Sequence, residues 1–242
     1  MKRIGIIGGM SYHSTLIYYK EINKRVNERV GGFTSADLIL RSVNYAKYEN
    51  LMQEEKWLAI AAKLAYEART LYCSNNCDYI AIATNTMHKV GDAIDSIWYD
   101  FGSNATNSRL VHIGDCVAEK CKNTKVKSVI LLGTQITMED SFMSSRLEQN
   151  GIEVRNNLIS SIVASKINYI IFEQLCKDLT PKHSKEFILD IIKETFYKYD
   201  VGGVILGSTK LGMLIKPEDC PVPIFDSTEA HIDKLVELCL SD

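Results

Sequence analysis

The sequence has no apolar run long enough for a membrane: its longest, such as residues 4–7 and 129–132, are strand-length against the roughly 20 residues a spanning helix needs. Lys2 and Arg3 precede a run that stops almost at once at Gly8 and Gly9, too short for the core of a signal peptide, so a cytoplasmic location is expected. An excess of either charge is missing. The 28 Lys plus Arg against 30 Asp plus Glu leave a net charge of -2, with no basic surplus to neutralise phosphates and no acidic tail. Neither nucleic acid nor a membrane surface is an expected partner. The seven cysteines are odd in number and scattered, which suits reduced thiols better than a disulfide framework. Cys73 and Cys77 lack a second pair at ligand spacing with histidines near it, so no metal is expected. No Gly-, Pro- or Ser-rich stretch marks a linker.

What is present is enough apolar content, 46% of 242 residues, to bury the core of one large domain or two small ones. Short β-branched runs bounded by glycine alternate with longer segments of helical apolar spacing, the pattern of βαβ units around a parallel sheet. Strands are predicted at 3–8, 36–43, 78–84 and 109–113 in the first half, and at 127–133, 152–155, 203–207 and 222–225 in the second. Helices are predicted over 13–28, with Leu16, Tyr19, Ile22 and Val26 facing the sheet, and over 50–72, with Leu51, Leu58, Ala62 and Ala65 doing the same.

The halves resemble each other. The run GIIGGMS at 5–11 matches LLGTQITM at 131–138, each leading into a helix, and IAIATNT at 80–86 matches VILGSTK at 204–210. The paired runs are separated by nearly the same length of chain in each half, as a duplicated α/β unit would give. Two pseudo-symmetric domains are expected: the first over 1–114 plus about 216–242, because the last helix, 227–239, should return to it, and the second over 115–215. In an open parallel sheet, ligands bind beyond the carboxyl ends of the strands, where helix N-termini offer unpaired N–H groups. Facing halves would set Thr84, Asn85 and Thr86 opposite Ser208 and Thr209 across a cleft, rimmed by residues 8–11 and 134–137.

Each motif also has a plain structural reading. GIIGG is followed by Met10, Ser11, Tyr12 and His13, which breaks the G-x-G-x-x-G spacing of a dinucleotide loop; a backbone N–H nest for a carboxylate, or a tight turn before a helix, remain. Thr84, Asn85 and Thr86 could form a simple N-cap cluster, but the matching Ser208 and Thr209 favour a binding role. His88, four residues after Thr84, is either a packing residue or a base. Lys166 begins an amphipathic segment whose buried side is Ile167, Ile170 and Ile171, and a lone lysine there is ordinarily solvated. Lys210 is either a surface lysine or a buried one able to serve Ser208 as a base or to clamp a carboxylate.

GIIGGMS with Ser14 and Thr15, SVN at 42–44, ATNTMHKV at 83–90, LLGT and TMEDSF within 131–142, KINYIIFEQLC at 166–176 and LGST at 206–209 resemble, in that order, the motif series of the aspartate/glutamate racemases. The resemblance spans nearly the whole chain. It implies two pseudo-symmetric Rossmann-like α/β domains, each with a parallel sheet flanked by helices, a ligand cleft between them, a homodimer, and cofactor-independent chemistry at Cα of a small acidic amino acid. Racemisation needs an acid or base on each face of Cα, and the family places one cysteine per domain there, because a thiol of pKa roughly 8.5 can serve in either role.

In this chain the two positions read Thr84 and Ser208. An aliphatic hydroxyl is a poorer base than a thiolate and needs an adjacent group, for which His88 and Lys210 are the auxiliary candidates. Threonine at the first position resembles a subgroup that keeps the second cysteine; this chain keeps neither. Lys210 also stands where an acidic residue is usual, and Asn44 where an aspartate is common. By the same resemblance Asn85, Thr86, Thr134, Lys166 and Thr209 would hold carboxylates, with Ser11 and Gln53 nearby and Lys166 selecting a dicarboxylate. The expected function is a slow aspartate/glutamate-type racemase. The alternatives are a catalytically inactive dicarboxylate- or amino-acid-binding homologue, and a lyase or isomerase on the same fold.

Overall fold

Unbroken apolar runs belong to parallel strands covered on both faces. In the computed structural model, which describes residues 1–100 and 109–241, β1 (Ile4–Gly8) is buried along its whole length. It is the centre of a three-stranded parallel sheet, flanked by β2 (Leu38–Ser42) and β3 (Tyr79–Ile82). The helices of this half are α1 (Tyr12–Val30), α2 (Tyr45–Gln53), α3 (Trp57–Arg69) and α4 (Gly91–Asp100). On one face of the sheet Ile7, Ile80 and Ile82 pack against Ile60 and Leu64 of α3 and Ile94 of α4. On the other, Ile4 and Ile6 meet Tyr18, Ile22 and Val26 of α1 together with Ile232 and Leu235 near the chain end. Each such side chain contributes about 1.5–3 kcal/mol by leaving water, so packing holds the layers and leaves the strand ends available for polar residues.

The second half runs α5 (Ile113–Asn123), β4 (Ser128–Gly133), α6 (Gln135–Glu139), α7 (Ser141–Gln149), β5 (Glu153–Val154), α8 (Ser161–Tyr169), α9 (Lys182–Tyr199), β6 (Val204–Gly207), α10 (Leu211–Leu214), β7 (Ile224–Asp226) and α11 (Ser227–Cys239). Its parallel sheet has the order β5-β4-β6-β7, which repeats β2-β1-β3 of the first half; among the described residues a parallel bridge from Ile80 to Leu110 stands where β7 would be. Ile130 and Leu132 of β4 and Val204 and Leu206 of β6 pack with Ile167 of α8 and Ile188 of α9. Two compact units result: Met1–His112 with His231–Asp242, and Ile113–Ala230. Among the described residues no helix is long and apolar enough to cross a membrane.

Several expectations are corrected. The segment predicted as the single helix 50–72 is two helices, broken near Glu55, which takes a left-handed backbone with φ 54°. Leu58 and Ala62 turn outward, and Ile60, Ala61 and Leu64 are buried in their place. In α1 the buried stripe is Ser14, Thr15, Tyr18, Ile22 and Val26, leaving Leu16 and Tyr19 exposed. The strand predicted at 109–113 contracts to the bridge at Leu110 because α5 begins at Ile113. The first unit regains the chain later than position 216: β7 pairs with β6, and that pairing keeps the residues up to Ala230 in the second unit.

Candidate functional site

Strand register makes the correspondence between the halves explicit. Ile82 pairs with Ile7 and the Ala83 N–H donates to the Ile7 carbonyl, so Thr84 is the next residue beyond the carboxyl end of the sheet. In the other unit Gly207 pairs with Gly133, and Ser208 is the next residue beyond that end. Thr84 and Ser208 therefore occupy equivalent places. The turn glycines correspond too. A Cβ on Gly8 would lie 2.4 Å from Thr15 Cγ2, and one on Gly133 would lie 2.8 Å from the Gly207 carbonyl oxygen and 3.1 Å from Thr137 Cβ, so each strand end admits only glycine beneath a threonine of the next helix.

In the first unit the turn after β1 is internally satisfied. Thr15 Oγ1 accepts from the Gly9 N–H at 2.8 Å and donates to the Ser11 carbonyl at 3.0 Å, so the Gly9 amide is committed within the turn rather than held ready for an anion. Ser11 begins α1 as its N-cap residue, but its hydroxyl makes no capping bond. After β3 the chain turns sharply, the Thr84 N–H donating to the Ile82 carbonyl at 2.8 Å, and enters a short 3-10 helix from Thr86 to Val90. Thr84 is half-buried, while Asn85 is only 4% exposed with both amide atoms unbonded. A buried amide without protein partners is expensive to the fold, a cost that a water or a ligand would relieve. His88 is buried and gives its Nδ1–H to the backbone carbonyl of Thr84 at 2.9 Å, not to the threonine hydroxyl.

In the second unit Thr134 caps α6, its Oγ1 accepting from the Thr137 N–H at 3.3 Å and lying 2.9 Å from Thr137 Oγ1. Ser208, Thr209 and Lys210 are all buried. Thr209 Oγ1 accepts from Thr228 Oγ1 at 3.0 Å, which leaves the Thr209 proton to be donated elsewhere. Lys210 is 3% exposed, and its ammonium lies 3.4 Å from Asp178 Oδ1. The lysine is thus buried and not at the surface, with Asp178 beside its ammonium. Burial pushes the nearby Cys176 thiol up, and the Lys210 charge opposes that rise. At the end of β7, Asp226 Oδ1 accepts from the Thr228 and Glu229 amides at 2.8 and 3.2 Å, capping α11. Its carboxyl is nonetheless pushed up to about 6, because burial outweighs those two bonds.

Three further predicted residues lie on or at the start of helices. Gln53 is exposed at the last position of α2. Asn44 caps α2 by accepting from the Ala46 N–H at 3.1 Å. Lys166 does not begin a helix but sits in the last turn of α8, exposed, with its ammonium 3.8 Å from the centre of the Phe187 ring. A cavity of about 630 Å³ runs along β2, lined by Arg41, Ser42, Val43, Asn44, Tyr48 and Glu67 among others; it is lined by none of residues 84–88. Sequence reasoning missed Thr228 and Asp226, although the run from Asp226 to Glu229 carries the acidic N-cap pattern of a helix start. It also missed His112 and His231, for which no local signal exists.

The family model for Asp/Glu/Hydantoin racemase matches residues 7–235. A crystal structure from Yersinia pestis described as a candidate Asp/Glu racemase is 35% identical over the whole of both chains, with a TM-score of 0.88. An aspartate racemase homologue from Pyrococcus horikoshii is 34% identical, again over the whole of both chains, with a TM-score of 0.83. Arylmalonate decarboxylase shares the fold at 12% identity and a TM-score of 0.53, covering 99% of this chain and 93% of its own.

Proposed function

Given that the chain belongs to the Asp/Glu/Hydantoin racemase family, we propose that it is a slow, cofactor-independent racemase of aspartate, glutamate or a close analogue, with Thr84 and Ser208 in the two proton-transfer positions. The observation that carries this reading is the buried, unbonded amide of Asn85 beside Thr84 at the carboxyl end of the sheet. An amide offers an NH2 donor group and an acceptor oxygen side by side, which suits a group bearing both a carboxylate and an ammonium. In the second unit Thr209, which accepts a hydrogen bond from Thr228 and so keeps its own hydroxyl proton to donate, is the matching donor next to Ser208.

Catalysis by this pair would be slow for a physical reason. Among the described residues no histidine, lysine or carboxylate hydrogen-bonds the hydroxyl of Thr84 or of Ser208, so neither alcohol has a base in contact to deprotonate it. The same observation supports a second reading, a homologue that retains recognition of an acidic amino acid without turning it over.

Incubation with L-aspartate or L-glutamate in deuterated water, followed by NMR of the α-proton, separates the two. Racemase chemistry predicts slow α-proton loss that Thr84→Ala or Ser208→Ala abolishes. Calorimetrically measurable binding without exchange would retire the racemase and leave the binder.

A further inference from the structure

Three of the chain's five histidines, His88, His112 and His231, meet inside the first unit, none more than 6% exposed. The His88 ring centre lies 4.8 Å from that of His112 and 5.5 Å from that of His231, both in edge-on geometry. Each ring donates to a backbone carbonyl: His88 Nδ1–H to Thr84 at 2.9 Å, His112 Nε2–H to His88 at 3.1 Å, and His231 Nε2–H to Val111 at 2.9 Å. The remaining nitrogen of His231 then accepts from the Tyr18 hydroxyl at 2.9 Å. Burial, reinforced by the proximity of His88, holds the His231 imidazole well below its usual range and hence neutral at pH 7, in keeping with that tautomer.

We propose that these histidines are positioning residues for the ligand-binding turn, fixing the backbone of Thr84 and Asn85 through a relay of carbonyl bonds. The inference rests on the reading of residues 84–86 as part of the ligand site. The turn needs outside support because it leads into a 3-10 helix, whose internal hydrogen bonds are poorer than those of an α-helix. Buried carbonyls must find donors, and an imidazole N–H supplies one at a fixed angle from a stiff ring. His112 is itself held in place: a Cβ on Gly91 would come within 2.8 Å of its Cδ2, so glycine there leaves the ring its space. Because the bond to Thr84 goes to its carbonyl, the triad acts through the backbone and not as a base on the hydroxyl.

Long-range proton–nitrogen NMR of the unmodified protein tests the relay directly. The expected result at pH 7 is an Nδ1–H tautomer for His88 and Nε2–H tautomers for His112 and His231; an Nε2–H tautomer at His88 would overturn the proposal. A paired substitution adds a functional readout. Glutamine can place an N–H where His112 Nε2–H lies, and leucine cannot. His112→Leu should speed amide exchange across residues 84–88 by about fivefold to tenfold and weaken L-aspartate or L-glutamate binding by a similar factor, with His112→Gln restoring both. Equal loss in the two variants, or no change in the leucine variant, sinks the relay. Should His112→Leu fail to fold, the tautomers of the unmodified protein still decide. Failure of the unmodified protein to bind either amino acid would instead undo the ligand reading, while the tautomer and exchange measurements still judge the positioning.

Discussion

Asn85 is the residue whose placement makes least sense for the fold alone. Leaving its two amide atoms buried and unbonded costs about 1–3 kcal/mol. Asn85→Leu, close in shape but without the polar atoms, is therefore expected to unfold at an equal or higher temperature than the parent while losing tenfold or more of its affinity for an acidic amino acid, by roughly the same 1–3 kcal/mol. Calorimetric titration beside thermal unfolding checks both halves; a variant that binds normally would return Asn85 to a structural role. Asn85 was legible in the sequence because TNT at 84–86 is echoed by STK at 208–210 in the other half. Lys166 shows the limit of such reading. A motif fixes which residue is present but not which face of its helix it occupies, and its ammonium covers the Phe187 ring from an exposed position. His112 and His231 were illegible because they come together only through tertiary packing.

Helix faces were read less well than strands. The inner strands β1, β4 and β6 are buried along their whole length and announce themselves as unbroken apolar runs. In α1, by contrast, the buried stripe includes Ser14 and Thr15, because Thr15 must close the Gly9 turn, and a search for apolar spacing alone selects Leu16 and Tyr19 instead. The start of α11 supplies a test at this scale. Asp226, half-buried, has a carboxyl raised from 3.8 to about 6, so between those values the folded protein holds a proton that the unfolded chain has released. Its contribution to stability is thus greatest below pH 3.8 and is lost as pH rises through 6, the reverse of a salt-bridged carboxylate. Asn keeps the oxygen that accepts from the Thr228 and Glu229 amides but does not titrate. The melting temperature of Asp226→Asn relative to the parent should therefore rise steadily between pH 4 and pH 7. A flat difference would mean that the carboxyl titrates normally in the fold.

For the molecule as a whole, the duplication governs both what could be read and what remains to be tested. Matching runs at equal spacing foretold two similar parallel sheets, and strand order and register agree with that symmetry down to the equivalence of Thr84 and Ser208. They could not foretell that the second unit would keep its fourth strand, Ile224–Asp226, while the first has, among the described residues, a bridge at Leu110 in the corresponding place. The equivalence makes a prediction that neither position carries alone. Racemisation needs a proton removed from one face of Cα and returned to the other, so two competent groups act as a unit and their effects are not additive. Thr84→Cys or Ser208→Cys singly should raise α-proton exchange modestly, since each leaves an alcohol as the opposing group. The double variant should raise the racemisation of aspartate or glutamate by about 100-fold or more over the parent, the scale of a restored acid–base pair, with Lys210 two residues from the new thiol favouring its thiolate. Following inversion by polarimetry for the parent, both single variants and the double variant checks it. A double variant no faster than the better single one would mean that the two strand-end positions do not act on one substrate carbon, and the recognition-only reading would then stand.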